Sequence, residues 1–187
     1  MEDIQMIERA IALAIHYHEG AVRKADHSPY IIHPLMVGTL LARYGFSGEV
    51  VAAGFCHDLL EDTKCPPEEI AKNCGGQVLE IVQAVSNDER LSDPKDWIRK
   101  KKAYIVSVRN GPEGAKAVCL VDKIHNLTSL LHAYKTQGKE VWKHFHRGKK
   151  DKVWFESAVL SMLQETWNHP LIGYYATLIE QEKLLDG

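Results

Sequence analysis

In this chain apolar residues recur every three or four positions and almost nowhere every second position, so its hydrophobic surface can be buried only by packing helix on helix. In IQMIERAIALAIHYH (residues 4–18), Ile4, Ile7, Ile11, Ala14 and Ile15 mark one apolar face. HPLMVGTLLARYG resumes the pattern at His33, with Pro34 tolerable in a first turn and Gly45 placed near a C-cap. Ser47 is placed to N-cap a helix running through Glu61, with Val50, Val51, Gly54 and Phe55 facing inward. The same spacing predicts helices over 67–73, 76–86, 95–109, 113–134, 138–145, 151–166 and 170–185, separated by the breakers KCPP, CGG, SDP, NGPEG, TQG, RGK and NHP. AKAVCLV (115–121) taken alone would suit a short buried strand, but in place it reads as the apolar start of a long helix. With no internal repeat and no linker rich in Gly and Ser, the expectation is an all-α fold, a single multi-helix domain over residues 1–187.

Composition narrows the function classes. A chain of 187 residues with 45% apolar content is long enough to bury a substantial core. Its formal net charge of −2 gives no footprint for duplex nucleic acid or an anionic membrane, and the basic run RKKK at 99–102 reads as a solvated helix face. No apolar run approaches the roughly 20 residues that span a bilayer, and the acidic start MEDIQMIERA is unlike a signal peptide. The cytoplasm is therefore the expected compartment. Cys56, Cys65, Cys74 and Cys119 form no C-x-x-C pair, so buried free thiols are expected rather than a zinc knuckle or a redox motif.

Several polar residues are not needed by the helical pattern. They are His33, opening one helix; His57 and Asp58, inside the apolar stretch GFCHDLLEDT; Glu61 and Asp62, one turn on; and Asp122, within VCLVDKIHNL. A carboxylate among apolar neighbours is costly unless paired, hydrogen-bonded or bound to a cation. Two imidazoles and two carboxylates offer mixed N and O ligation that suits manganese, iron or zinc. On a helix i and i+4 share a face, so Glu61 would stand over His57 and Asp62 over Asp58, where a general acid or base belongs. Singly, each has a plainer reading: a core histidine, a solvated helix end at 61 and 62, a surface ion pair between Asp122 and Lys123.

Read together and in order, RKADHSPYIIHPLMV, FCHDLLEDT and VDKIHNLTSLL resemble the HD-domain metal-dependent phosphohydrolases, specifically the hydrolase domain of the RelA/SpoT alarmone enzymes and their small stand-alone relatives. The resemblance runs from about residue 5 to about residue 135. It implies metal ligands at His33, His57, Asp58 and Asp122, with manganese the family's usual ion, and acids that orient the attacking water at Glu61 and Asp62. It also implies nucleotide contacts from Arg23 and Lys24, and a pocket-lining role for Asn126. The implied reaction is removal of the 3′-pyrophosphate from ppGpp or pppGpp, giving GDP or GTP. The length leaves no room for the synthetase domain of the long alarmone enzymes, so hydrolysis without synthesis is expected. An HD phosphohydrolase acting on another nucleotide or a 3′-phosphorylated cofactor is the alternative, and a non-catalytic nucleotide-binding module is a third reading.

The chain also departs from the pattern. Thr128 stands where the family often has an arginine. Arg147, Lys149, Lys150 and Trp154 read as a solvated basic loop followed by a core aromatic. His16, His125, His144 and His146 lack motif support and are expected to be structural or on the surface. Oligomeric state is left open by the sequence.

Overall fold

Helices form where the apolar spacing runs and stop where glycine or proline interrupts it. The computed structural model describes residues 2–23, 28–87, 93–145 and 147–186. In order they carry α1 (Glu2–Tyr17), α2 (Ile32–Arg43), α3 (Gly48–Cys56), α4 (Leu59–Asp62), α5 (Pro67–Cys74), α6 (Gly76–Val85), α7 (Trp97–Asn110), α8 (Glu113–Gln137), α9 (Gly148–Thr166) and α10 (Leu171–Leu184). Short 3-10 turns precede α7 at Pro94–Asp96 and follow α8 at Gly138–His144, the latter where a regular helix is expected. Among the described residues the fold is all-α; extended pairing is limited to an isolated bridge between Val22 and Pro29.

The caps follow local chemistry. Gly45 takes φ +81° just past α2, the left-handed conformation that glycine adopts without a Cβ penalty, and its N–H bonds the Ala42 carbonyl at 3.1 Å. Ser47 sits at the start of α3 in an extended conformation, as expected of an N-cap, but its side chain makes no capping hydrogen bond.

Helix α8 is the central post. Its residues 115–122 are buried without a break, which is why that stretch lacks a polar face in the sequence. Around it one continuous apolar cluster draws on Val37 and Leu41 of α2, Phe55 of α3, Val82 of α6, Val108 of α7, Met162 of α9 and Ile179 of α10. The α1 face is shifted from its expected position. Ala10 and Ala14 are fully buried, whereas Ile4 and Ile15 are 63% and 52% exposed. The small side chains allow a close approach to α3, so that Cys56 Sγ lies 3.9 Å from the Ala10 carbonyl.

A close crossing joins α2 to α3 through two glycines. A Cβ on Gly54 would stand 2.3 Å from Leu41 Cδ1 and 3.2 Å from Gly38 Cα, and one on Gly38 would stand 2.5 Å from the Phe55 ring. This crossing brings the first turn of α2, with His33, beside the end of α3, with His57.

The predicted single helix from Ser47 through Glu61 is broken. It ends at Cys56 and restarts at Leu59, leaving His57 and Asp58 at the joint. There the His57 side chain turns back and its Nδ1 lies 2.9 Å from the Gly54 carbonyl, while Asp58 adopts φ −93° and ψ −4°. Such a departure from helical geometry aims two adjacent side chains that a continuous helix would separate by about 100°.

Gly54→Ala is expected to destabilise the protein by about 1–3 kcal/mol through overpacking. Gly173→Ala, where an added Cβ meets no atom within 4 Å, should be neutral or gain up to about 1 kcal/mol. Thermal melts of the two variants check this contrast, and equal behaviour would contradict the role given to the crossing.

Candidate metal centre

Four side chains from three places in the fold converge on one point. His33 enters from the first turn of α2, His57 and Asp58 from the α3–α4 joint, and Asp122 from the middle of α8. His33 Nε2 lies 3.2 Å from His57 Nε2, 3.1 Å from Asp122 Oδ1 and 3.5 Å from Asp58 Oδ2. His57 Nε2 lies 3.2 Å from Asp58 Oδ1 and 3.8 Å from Asp122 Oδ1. Ligands bonded at about 2.1 Å to one ion stand roughly 3.0–3.5 Å apart along the edges of an octahedron or tetrahedron. Four of these five distances have those edge lengths, the His57–Asp122 distance being longer, and His33, His57 and Asp58 each offer one ligand atom in a group lying within 4.8 Å. His33, His57 and Asp122 are only 5%, 5% and 7% exposed. Two imidazoles and two carboxylates in a buried site fit a divalent metal ion.

The protonation of the set follows from its burial and charges. Burial opposes a charged His57, but Asp58 and Asp122 more than offset it and lift the imidazole to about 9. Burial likewise works against an ionised Asp122. The Lys123 ammonium and the hydrogen bonds from His33 and His57 outweigh it and hold that carboxyl well below the usual range.

Other residues orient the four, as outer partners orient metal ligands in proteins. The His57 Nδ1 contact with the Gly54 carbonyl turns Nε2 toward the cluster. Asp122 is held at both oxygens: Asn126 Nδ2 donates to Oδ1 at 2.6 Å, and Lys123 Nζ donates to Oδ2 at 2.9 Å. Asn126 is thus a neighbour of the cluster with its amide committed to Asp122.

His125, expected to be structural or on the surface, lies in the site. Its Nδ1 is 2.8 Å from His33 Nδ1. Burial, then the charges of His33 and Arg23, lower it to about 4, so His125 is a neutral imidazole beside His33. The signal was present in the sequence, because His125 is three residues from Asp122 and shares its helical face.

Tyr30 is a second residue that sequence reasoning passed over, although it stands inside the SPYIIHP motif. Its hydroxyl lies 2.7 Å from Asp58 Oδ2 and 2.7 Å from Asp62 Oδ2. One phenolic proton serves two carboxylates. Burial and then the charge of Asp58 raise the Asp62 carboxyl above its ordinary value.

The remaining expected site residues are distributed around this core. Glu61 follows the cluster by one turn, but its carboxylate is turned to Asn87, whose Nδ2 donates to both oxygens at 2.6 and 2.5 Å. Asp62 is joined to Asp58 through Tyr30. Arg23 lies in the bridge segment, its N–H bonded to the Ser28 carbonyl at 2.9 Å, and its charge reaches His125. Lys24 lies outside the described residues. In the basic segment after α8, Lys149 Nζ is bonded to the Lys183 carbonyl at 2.9 Å, and Trp154 packs against Trp97 with ring centres 5.8 Å apart.

A sequence profile of the HD domain matches residues 10–154. The chain belongs to the HD-domain family. This HD-domain protein is 33% identical to the mouse (Mus musculus) guanosine-3′,5′-bis(diphosphate) 3′-pyrophosphohydrolase MESH1 over 186 residues, covering 98% of this chain and 97% of that one. It is 30% identical to the Borreliella burgdorferi enzyme carrying the same activity name over 139 residues, which are 73% of this chain but 21% of that one. The chain thus spans about a fifth of the length of that bacterial relative. Among solved structures, Listeria monocytogenes lmo0812 superposes with a TM-score of 0.71 at 32% identity, over 83% of this chain and 98% of that one. The fold is also shared with a metazoan SpoT ortholog, with a TM-score of 0.78 at 24% identity over 96% and 97% of the two chains. Among the described residues no helix of this HD-domain protein is long and apolar enough to cross a membrane.

Asp58→Ala is expected to abolish binding of a divalent ion. His125→Ala should keep all four converging groups but weaken metal affinity by about 10–100-fold, the usual cost of removing an orienting partner. Competition titration against a metal-sensitive dye measures both, and undiminished affinity in His125→Ala would reduce that residue to a packing role.

Proposed function

We propose that this protein is a metal-dependent phosphohydrolase that removes the 3′-pyrophosphate from guanosine 3′,5′-bis(diphosphate) or its triphosphate analogue, with manganese as the ion. The observation that carries the hydrolase reading is the convergence of His33, His57, Asp58 and Asp122 at 3.1–3.8 Å. The substrate rests on the similarity to mouse MESH1 over nearly the whole of both chains. The helices act as one domain, and the setting is the cytoplasm, where four free cysteines stay reduced.

In this reading the four clustered side chains are the metal ligands. The bound ion supplies positive charge that stabilises the phosphoryl group under attack and favours ionisation of water. Water adds to the phosphorus attached to the 3′-oxygen, that P–O bond breaks, and GDP (or GTP) and pyrophosphate leave. The protein's task is to manage two protons. Glu61, fixed by Asn87, orients the attacking water and accepts its proton. Asp62, raised above its ordinary value and sharing the Tyr30 hydroxyl with Asp58, delivers a proton to the departing 3′-oxygen. Arg23 and Lys24 hold the nucleotide from the bridge segment, and Asn126 lines the pocket while fixing Asp122.

Metal-stripped protein incubated with ppGpp should yield GDP and pyrophosphate only when manganese is restored, as resolved by ion-exchange chromatography. Glu61→Ala should retain the metal and lose roughly a hundredfold or more in turnover. Intact ppGpp in the presence of bound manganese would contradict the substrate assignment, and equal metal loss in Glu61→Ala and Asp58→Ala would contradict the separation of roles.

A further inference from the structure

The run RKKK at 99–102 falls on α7, and a helix fans four consecutive side chains around its axis, so the run is not uniformly solvated. Lys101 reaches over two aromatic rings. Its Nζ stands 4.7 Å from the centre of the Phe155 ring and 5.9 Å from that of Tyr104. Lys123, from α8, reaches the same two rings at 5.2 and 5.5 Å. Two ammonium groups therefore share one aromatic platform beside the cluster, and they are unequally compensated. Lys123 is paired with Asp122 at 2.9 Å. Among the described residues no carboxylate lies within ion-pair distance of Lys101. Burial, then the charge of Lys123, lowers its ammonium to about 8, while the acids whose charge reaches it, Glu61 and Asp122, are held by Asn87 and Lys123. A half-buried cation beside a like charge is costly, and an anion placed between the two removes that cost.

We propose that Lys101 is a phosphate-binding residue of the site, contacting the diphosphate group of a ligand whose reacting phosphorus lies at the His33–His57–Asp58–Asp122 cluster. The diphosphate is taken here as the leaving pyrophosphate, an identity that rests on the hydrolase reading above, whereas the anion site itself does not.

The test is calorimetric titration of inorganic pyrophosphate into the metal-loaded full chain, with metal content measured before and after. Lys101→Met preserves the stem that lies on Phe155 and removes the charge, Lys101→Arg preserves the charge, and Lys102→Met changes an exposed neighbour on the same helix. Lys101→Met is expected to bind pyrophosphate roughly tenfold or more weakly with unchanged metal content and melting temperature. Lys101→Arg and Lys102→Met should stay close to the parent protein. Undiminished affinity in Lys101→Met, an equal loss in Lys102→Met, or no binding by the parent protein would each overturn the assignment. A parallel assay with ppGpp separates the two ideas: Lys101-dependent pyrophosphate binding without ppGpp turnover leaves the anion site standing and removes the substrate, and ppGpp turnover with unaltered pyrophosphate affinity in Lys101→Met does the reverse.

Discussion

The contact between Gly38 and Gly54 sets the position of everything that follows. A Cβ on Gly54 would meet the Gly38 backbone and the Leu41 side chain, so α2 and α3 can cross this closely only with glycine there. His33 lies five residues before Gly38 and His57 three after Gly54, and both rings are carried by that crossing. Their Nε2 atoms end 3.2 Å apart. Helix α8, buried along its first half, then brings Asp122 to the same point. Packing of small and apolar residues thus does the work of placing four polar groups, and the polar groups need no flexible loop to meet.

Such a cluster is expensive in a dry interior. Two carboxylates and two imidazoles with little access to water would each lose hydration, and the loss is offset by mutual hydrogen bonds and by partners outside the cluster. Lys123 and Asn126 satisfy Asp122, Tyr30 bridges Asp58 to Asp62, His125 meets His33, and the Gly54 carbonyl meets His57. Each of these partners fixes a direction as well as a charge. The broken helix at His57 and Asp58 belongs to the same economy, since the restart at Leu59 lets adjacent residues aim at one point.

The helices were largely legible because their apolar spacing is regular and their ends are marked by glycine and proline. Helix α8 was read correctly through an apolar run that alone resembles a strand, since its length and the flanking NGPEG favour a helix. The α1 face was misplaced, because Ile4 and Ile15 are apolar enough to suggest burial while the close crossing selects Ala10 and Ala14. The break in the Ser47–Glu61 helix falls between Cys56 and Leu59, where no glycine or proline marks it in the sequence. The clustering of His33, His57, Asp58 and Asp122 follows the motif order. The roles of Tyr30 and Asn87 depend on contacts between distant segments, which spacing does not encode, whereas His125 shares a helical face with Asp122. Lys101 was hidden in a run of like residues, where only the fold shows which member stands over the Phe155 and Tyr104 rings.

The central claim, that a glycine-mediated crossing assembles a four-ligand site for one divalent ion, is tested most directly by locating the ion. Crystals grown with manganese and measured at its absorption edge should show one strong anomalous peak within bonding distance of His33 Nε2, His57 Nε2 and the carboxylates of Asp58 and Asp122. A peak bound by other residues, or none at this cluster at full manganese saturation, would contradict the account.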